Sequence, residues 1–164
     1  MKNTIFSTDD PHVEITLDDD THEHLRRHFD GELPGSKFCF QNAEELIQTI
    51  VDSFPKEIAE AQPNAEGVKV VSLHFPYEIG TCNVVAIDEL IDAERNTLKT
   101  VPRGETLARC AISDRVFPTK ECQLIMTERN EVITIYPGEL APPLPPTPDT
   151  SDPYWDKHVF IAPA

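Results

Sequence analysis

The distribution of proline constrains this chain more than any other feature of its sequence. Seven of the fifteen prolines lie between residues 137 and 153, and proline both fixes φ and removes a backbone hydrogen-bond donor. We therefore predict an extended loop over residues 137–153. Because the apolar run Val159-Phe160-Ile161 follows, we interpret the loop as a crossover to a C-terminal strand, which already includes Pro153-Tyr154-Trp155.

Hydrophobic periodicity predicts helices first and strands afterwards. Asp18, Asp19 and Asp20 supply N-caps for a helix that reaches about Phe29. A second helix begins at Asn42 and ends before Pro55, with one apolar stripe formed by Leu46, Ile47, Ile50, Val51 and Phe54. Alternating or apolar runs predict strands over residues 12–17, 68–75, 83–87, 108–112, 123–127 and 132–136. Residues 88–95 fit either a short helix or an extended run.

This order of elements predicts an α+β fold, with N-terminal helices packed on an antiparallel β-sheet meander and a proline-rich crossover to the C-terminal strand. The length of 164 residues predicts one domain over residues 1–164, with a frayed N-terminus at residues 1–12. Neither a run of apolar residues long enough to span a membrane nor a signal peptide is recognisable. We therefore expect a cytoplasmic protein without a membrane partner.

Cysteine and glycine usage argues against common cofactor sites. The four cysteines form no C-x-x-C pair, which excludes a zinc ribbon and a redox motif, and Cys39 and Cys110 are predicted to be buried among apolar neighbours. His24 and His28 have the spacing of metal ligands on a helix, but zinc needs a third ligand, for which His74 or His158 would have to converge on them. No glycine-rich nucleotide loop is present. We expect neither a metal nor a cofactor.

The charge is large and unevenly distributed. The formal charge is −15, yet residues 95–129 hold seven of the fourteen basic residues against four acidic ones, so that this segment is +3 and the remainder −18. An acidic body repels polyanions. The basic segment could bind a phosphate or an acidic partner, or its arginines could simply be solvated on one face of a sheet.

The remaining polar residues suit phosphodiester cleavage without a metal. That reaction needs a base, an acid and a cation. His28 or His158 could serve as acid or base, and Arg95, Arg109 or Arg115 could stabilise a phosphorane. Thr119, Thr134 and Tyr136 could donate hydrogen bonds to phosphate. Each residue also has an ordinary structural role, such as Thr134 as a strand former.

Two short motifs add a family resemblance. His24-Leu25-Arg26-Arg27-His28 on an early helix, followed much later by Ile133-Thr134-Ile135-Tyr136-Pro137-Gly138, resembles the group of metal-independent ribonucleases that includes barnase, EndoU, the colicin nucleases and RelE. The ending Pro153-Tyr154-Trp155-Asp156-Lys157-His158 is similar to stretches of small bacterial and phage proteins. The resemblance implies an RNA-cleaving cleft built from a helix histidine, a strand arginine and hydroxyl groups, here His28, Arg115, Thr119, Thr134 and Tyr136.

Three functional hypotheses follow from the sequence. The first is a metal-independent ribonuclease of bacterial or phage origin, with RNA as its partner. The second is an acidic interaction protein of the immunity or inhibitor type, without catalytic activity, whose surface mimics nucleic acid or neutralises a basic protein. The third is a structural domain without activity. The net charge favours the second hypothesis, whereas the basic segment and the hydroxyl, imidazole and guanidinium groups favour the first.

Overall fold

A computed structural model describes residues 3–9, 11–32, 35–144 and 152–163. The chain is α+β and divides into two compact units. The first unit comprises Met1–Thr81 and Pro118–Glu139, and the second comprises Cys82–Phe117 and Leu140–Ala164. Within the described ranges, no helix is both long and apolar enough to cross a membrane.

The first unit begins with a β-hairpin, where the sequence predicts a frayed end. Strand β1 (Asn3–Asp9) pairs with β2 (His12–Asp18) through seven consecutive antiparallel residue pairs. Val13, Ile15 and Leu17 of β2 point to the core, and Phe6 is the one fully buried side chain of β1. With a single core residue, β1 has too little hydrophobic periodicity for the sequence to reveal it.

The first two helices of the first unit begin at capping residues that the sequence predicts. Helix α1 (Asp19–Leu25) is capped by Asp18, whose carboxylate accepts from the Thr21 amide at 2.7 Å, and continues as a 3-10 turn over Arg26–His28. Asn42 caps helix α2 (Ala43–Ser53) by accepting from the Glu45 amide at 2.9 Å. Pro55 ends α2 and also begins a further short helix, α3 (Pro55–Glu60), since proline is favoured at the first helical position.

Helix α2 contributes the largest set of side chains to the core of the first unit. Four of the five residues in its predicted apolar stripe are fully buried, and Phe54 is half-buried against the same core. They pack with apolar residues of β1 and β2 and of a three-stranded antiparallel sheet ordered β11-β10-β4. Its strands are β4 (Val68–His74), β10 (Glu121–Thr127) and β11 (Val132–Pro137).

A small third sheet completes the first unit, with the order β3-β5-β9. Its strands are β3 (Lys37–Phe38), β5 (Gly80–Thr81) and β9 (Pro118–Thr119). Glycine is required at position 80, because a Cβ there would collide with the carbonyl oxygen of Lys37. Cys39, which follows β3, is exposed, contrary to the prediction that it is buried.

The second unit is a mixed four-stranded sheet ordered β6-β12-β8-β7. Its strands are β6 (Val84–Ala86), β7 (Lys99–Arg103), β8 (Thr106–Ile112) and β12 (His158–Ala162). The sequence predicts either a short helix or an extended run for residues 88–95. They are mostly helical, with a 3-10 turn at Ile87–Glu89 and helix α4 at Asp92–Arg95.

The arrangement of strands differs from the predicted meander. The strands form four separate small sheets, and β12 pairs with β8 in parallel. The first part of the predicted C-terminal strand is instead a helix, α5 (Pro153–Lys157), because the Asp152 carboxylate caps the Tyr154 amide and Pro153 occupies the first turn. Of the predicted proline-rich loop, residues 145–151 lie outside the described part of the chain.

Candidate functional site

The six residues predicted to form a catalytic site are divided between the two units. His28, Thr119, Thr134 and Tyr136 belong to the first unit, whereas Arg115 and His158 belong to the second.

His28 is buried at the end of the 3-10 turn, with 7% of its surface exposed. Its Nδ1 lies 3.0 Å from the Ser36 carbonyl oxygen, so that Nδ1 must carry the proton and donate it. Nε2 finds no hydrogen-bond partner among the described residues. Burial lowers the pKa of His28 below its ordinary value of 6.5, because a desolvated imidazolium is disfavoured. At neutral pH the ring is therefore an uncharged core group packed edge-on against Phe38.

A pocket of about 250 Å3 lies beside this turn, between α1 and the start of α2. Its two basic side chains already have acidic partners. Arg26 contacts Glu23 at 3.0 Å and Asp30 at 3.6 Å, and His22 pairs with Glu44. The pocket therefore presents little free positive charge to a phosphate.

Thr134 and Tyr136 lie on one face of β11. Gln123 of β10 lies opposite Tyr136 and is only 2% exposed. Its side chain accepts a hydrogen bond from the Ser72 hydroxyl at 2.7 Å and donates one to the Gly138 carbonyl at 3.1 Å. The same face carries an exposed cross-strand pair, His74 and Glu121, with 3.8 Å between Nδ1 and Oε1. Sequence reasoning missed this polar row, for which the only signal was the alternation of β4.

Thr119 has a local structural contact. Its hydroxyl accepts from the Glu121 amide at 3.1 Å, and its backbone pairs with Gly80 in the small β3-β5-β9 sheet. Thr119, Thr134 and Tyr136 all belong to the first unit. They could donate hydrogen bonds to a phosphate but provide no positive charge to bind it.

Arg115 is held by a buried carboxylate in the second unit. Its Nε and Nη2 donate to the two oxygens of Glu94 at 2.9 and 2.6 Å, and Nη2 also donates to the Glu89 carbonyl at 3.0 Å. The guanidinium lies 4.8 Å from the centre of the Phe117 ring. Glu94 is only 3% exposed and also accepts from the Ser113 hydroxyl and the Ile91 amide.

The hydrogen bonds to Glu94 hold it in its ionised form. Those from Arg115 and Ser113 lower the pKa of Glu94 from 4.5 to about 2, against the opposing effect of burial. The same contact raises the pKa of Arg115. The Arg115–Glu94 ion pair connects α4 to the segment after β8. Because the guanidinium already donates to Glu94 and Glu89, it has few donors left for a substrate phosphate.

His158 belongs to an aromatic cluster around α5. Its ring is parallel to that of Tyr154, with 3.8 Å between the ring centres, and its Nδ1 lies 2.7 Å from the Tyr154 carbonyl oxygen. Trp155 stacks on Phe160 at 5.3 Å and donates to the Pro142 and Pro143 carbonyls, both at 3.1 Å. Trp155 thus ties the start of the proline-rich segment to the sheet of the second unit.

The basic residues of the segment over residues 95–129 are divided between the two units. Lys120 and Arg129 lie in the first unit, and the other five basic residues lie in the second. Four of those five make internal contacts. Arg95 pairs with Asp92, Arg103 covers the Phe160 ring at 4.0 Å, Arg109 donates to the Trp155 carbonyl, and Arg115 binds Glu94.

Acidic side chains, by contrast, accumulate on the surface of the first unit. That unit contains twenty acidic and eight basic residues, a formal charge of −12, whereas the second contains nine and six, a charge of −3. We define the acidic surface as the exposed carboxylates of β1, β2 and α1–α3: Asp9, Glu14, Asp19, Asp20, Glu23, Glu45, Asp52, Glu57 and Glu60. Five of them have no ion-pair partner within the described residues: Asp20, Glu45, Asp52, Glu57 and Glu60.

Neither a metal-binding cluster in the described part of the chain nor a known relative identifies the site. Within the described residues, no group of three or more histidine, cysteine, aspartate or glutamate side chains is placed to hold a metal ion. Compared with protein-family profiles, curated proteins and solved structures, the chain shows no match.

Proposed function

We propose that this protein is an acidic interaction protein whose first unit binds a partner protein with a lysine- or arginine-rich surface. The observation that carries the proposal is the charge of −12 on the first unit, with five carboxylates of the acidic surface lacking an ion-pair partner in the described part of the chain. Carboxylates without an ion-pair partner create a negative potential around the surface. This potential attracts a basic partner and repels acidic ones.

The ribonuclease hypothesis has less support from the contacts. Cleavage through a 2′-hydroxyl needs a cation and an acid–base pair that can reach the phosphate. Arg115 binds a buried carboxylate, and His28 is buried with Nδ1 bound to a carbonyl. The exposed His74–Glu121 pair is an acid and a base, but its sheet face adds no cation within the described residues. RNA cleavage therefore stays a prediction.

The proposal is tested with peptides of defined charge. Binding of a lysine-rich peptide is measured by fluorescence anisotropy, with a glutamate-rich peptide of equal length as control. We expect the lysine-rich peptide alone to bind, with affinity that falls between about 0.01 M and about 0.15 M salt, as the Debye length shortens from about 30 Å to about 8 Å.

Two variants with equal change in net charge locate the binding surface. One neutralises three carboxylates of the first unit: Asp52→Asn, Glu57→Gln and Glu60→Gln. The other neutralises three exposed carboxylates of the second unit: Asp88→Asn, Glu105→Gln and Asp114→Asn. We expect the first variant to bind the lysine-rich peptide more weakly than the second.

Equal losses in both variants, or no binding by the wild type at low salt, would contradict the proposal. Cleavage of mixed RNA by the wild type without a divalent metal would favour the ribonuclease hypothesis instead. In that case His28→Ala and His158→Ala should be compared, since a general acid or base contributes about 100- to 10,000-fold.

A further inference from the structure

The two edges of the β1–β2 hairpin have different neighbours within the first unit. The outer edge of β2 meets the turn between β10 and β11. The Thr16 amide donates to the Asn130 carbonyl at 2.9 Å, and the Asn130 side chain donates to the Glu14 carbonyl at 3.1 Å. β1 forms a ladder with β2 on one side, and among the described residues no strand pairs with its other side.

The free edge of β1 is long, regular and exposed. Its register with β2 runs through seven pairs without a bulge. Five of its seven residues are exposed, among them Ile5, an apolar side chain with 63% of its surface in solvent. Proteins usually protect such an edge with lysine, proline or a bulge, or cover it with a helix or loop. Asn3–Asp9 contains no lysine, proline or bulge, and its cover from α2 at the edge is, among the described residues, one side-chain hydrogen bond. The nearest substitute is Gln48 of α2, whose amide approaches the Ser7 carbonyl at 3.5 Å.

The face beside this edge is acidic. Phe6 and the apolar residues of β2 point to the core, so the opposite face of the hairpin carries Ile5, Ser7 and Asp9 from β1 and Glu14, Thr16 and Asp18 from β2. Cross-strand neighbours place Ser7 beside Glu14 and Ile5 beside Thr16. The one basic group of this face within the described residues is His12, which lies 3.3 Å from Glu14 and 3.9 Å from Asp9.

We propose that a basic, extended segment of a partner protein adds to the edge of β1 as a further antiparallel or parallel strand. Backbone hydrogen bonds would supply affinity, and alternate side chains would supply specificity. The register of the hairpin calls for an apolar side chain beside Ile5 and for lysine or arginine near Asp9 and Glu14, where it would compete with His12. This inference rests on the proposed function, because it assigns the basic partner to one edge of the acidic unit.

The experiment compares peptides that differ only in their capacity to form a strand. The first probe is an eight-residue peptide of alternating lysine and valine. The second has the same sequence with every second backbone nitrogen methylated, which keeps the charge and side chains but removes donors from one edge. We expect the methylated peptide to bind the wild type at least about tenfold more weakly. We also expect the unmethylated peptide to slow amide hydrogen exchange in residues 3–9.

Two protein variants provide a matched control. Ile5→Lys places a cation on the edge of β1, and Val116→Lys makes the same change in the second unit, at a side chain that is 71% exposed. Both positions are exposed, so circular dichroism should show the wild-type fold in each. We expect Ile5→Lys to weaken binding of the unmethylated peptide about tenfold or more relative to Val116→Lys.

The outcomes separate this inference from the proposed function. Equal binding of the two peptides, or equal effects of the two lysine variants, overturns the strand-addition inference while binding of basic peptides stands. Absence of binding by either peptide at low salt overturns both. Self-association of the wild type at neutral pH that Ile5→Lys abolishes would assign the edge to a second copy of this chain and overturn the basic partner.

Discussion

At the scale of single residues, the contacts of Arg115 change what its removal should do. As a ribonuclease residue, Arg115→Ala would reduce cleavage and leave the fold intact. As the partner of buried Glu94, its loss leaves a carboxylate in the interior without its strongest donor, which destabilises a protein more than removal of both charges. We expect Arg115→Ala to lower the unfolding temperature of the second unit.

The measurement uses the one tryptophan of the chain, Trp155, which is buried in the second unit. Thermal unfolding followed by its fluorescence should shift downward in Arg115→Ala. Arg129→Ala removes an exposed arginine of the first unit and should leave the transition in place. An unchanged transition in Arg115→Ala would show that the pair contributes no stability.

The lowered pKa of Glu94 predicts how the stability of the second unit depends on pH. The folded-state pKa of about 2 lies below the ordinary value of 4.5, so the unfolded state binds the proton more readily and the native state loses stability as pH falls. The contribution is complete above about pH 4.5 and disappears toward about pH 2. Denaturant unfolding of the wild type, followed by Trp155 fluorescence, should weaken over this range.

Glu94→Gln is the control, because it keeps the shape of the side chain and cannot titrate. The variant should be less stable than the wild type at neutral pH, and its stability should fall less between pH 4.5 and pH 2. A pH dependence identical to that of the wild type would assign the titration to other carboxylates.

At the scale of elements, helix α2 was predictable because its sequence contains every local signal. Asn42 caps it, Pro55 ends it and its apolar residues recur with the helical period. Ile50 lies in that stripe with no exposed surface. Ile50→Asp should therefore destabilise the first unit by at least about 3 kcal/mol, since it removes a core side chain and buries a charge.

Ile50→Val provides the comparison, because it deletes one methylene from the same site. It should cost about 0.5–1.5 kcal/mol. Both are measured as changes in the free energy of unfolding by urea titration with far-ultraviolet circular dichroism. A melting temperature for Ile50→Asp equal to that of the wild type would contradict the buried position of the helix.

Other elements were missed for physical reasons that differ. β1 contains one core residue, Phe6, so it forms only because β2 offers it a complete ladder. The parallel pairing of β12 with β8 joins segments about 50 residues apart, and no local pattern encodes a distant partner. Helix α5 was predicted as a strand because its aromatic residues favour strands, whereas Asp152 and Pro153 start a helix.

The candidate site was predictable only in part for a similar reason. Residue type identified Thr134 and Tyr136 as hydroxyl donors, and the structure has both on one face of β11. No local pattern indicates that Arg115 is held by Glu94, twenty-one positions earlier, or that the Ser36 carbonyl binds His28. Contacts of this kind depend on tertiary packing, so residue type and spacing identified the chemically capable side chains but not those that are free to act.

At the scale of the whole molecule, the net charge of −15 and the free edge of β1 have opposite effects on solubility. Mutual repulsion keeps molecules apart at neutral pH, while an unprotected edge strand promotes pairing between chains. Near the sequence pI of about 4.6 the repulsion disappears. We therefore expect reversible association of the wild type near this pH, measured by light scattering, and its disappearance on return to neutral pH.

The lysine variants identify the surface through which the molecules associate. Ile5→Lys and Val116→Lys raise the net charge equally, so each shifts the pI by a similar amount, and each should be measured at its own pI. If the edge of β1 drives association, Ile5→Lys should scatter much less light than Val116→Lys, because a lysine on an edge strand is costly to bury between paired chains. Equal scattering by the two variants would instead attribute association to the loss of net charge alone, with no preference for the edge.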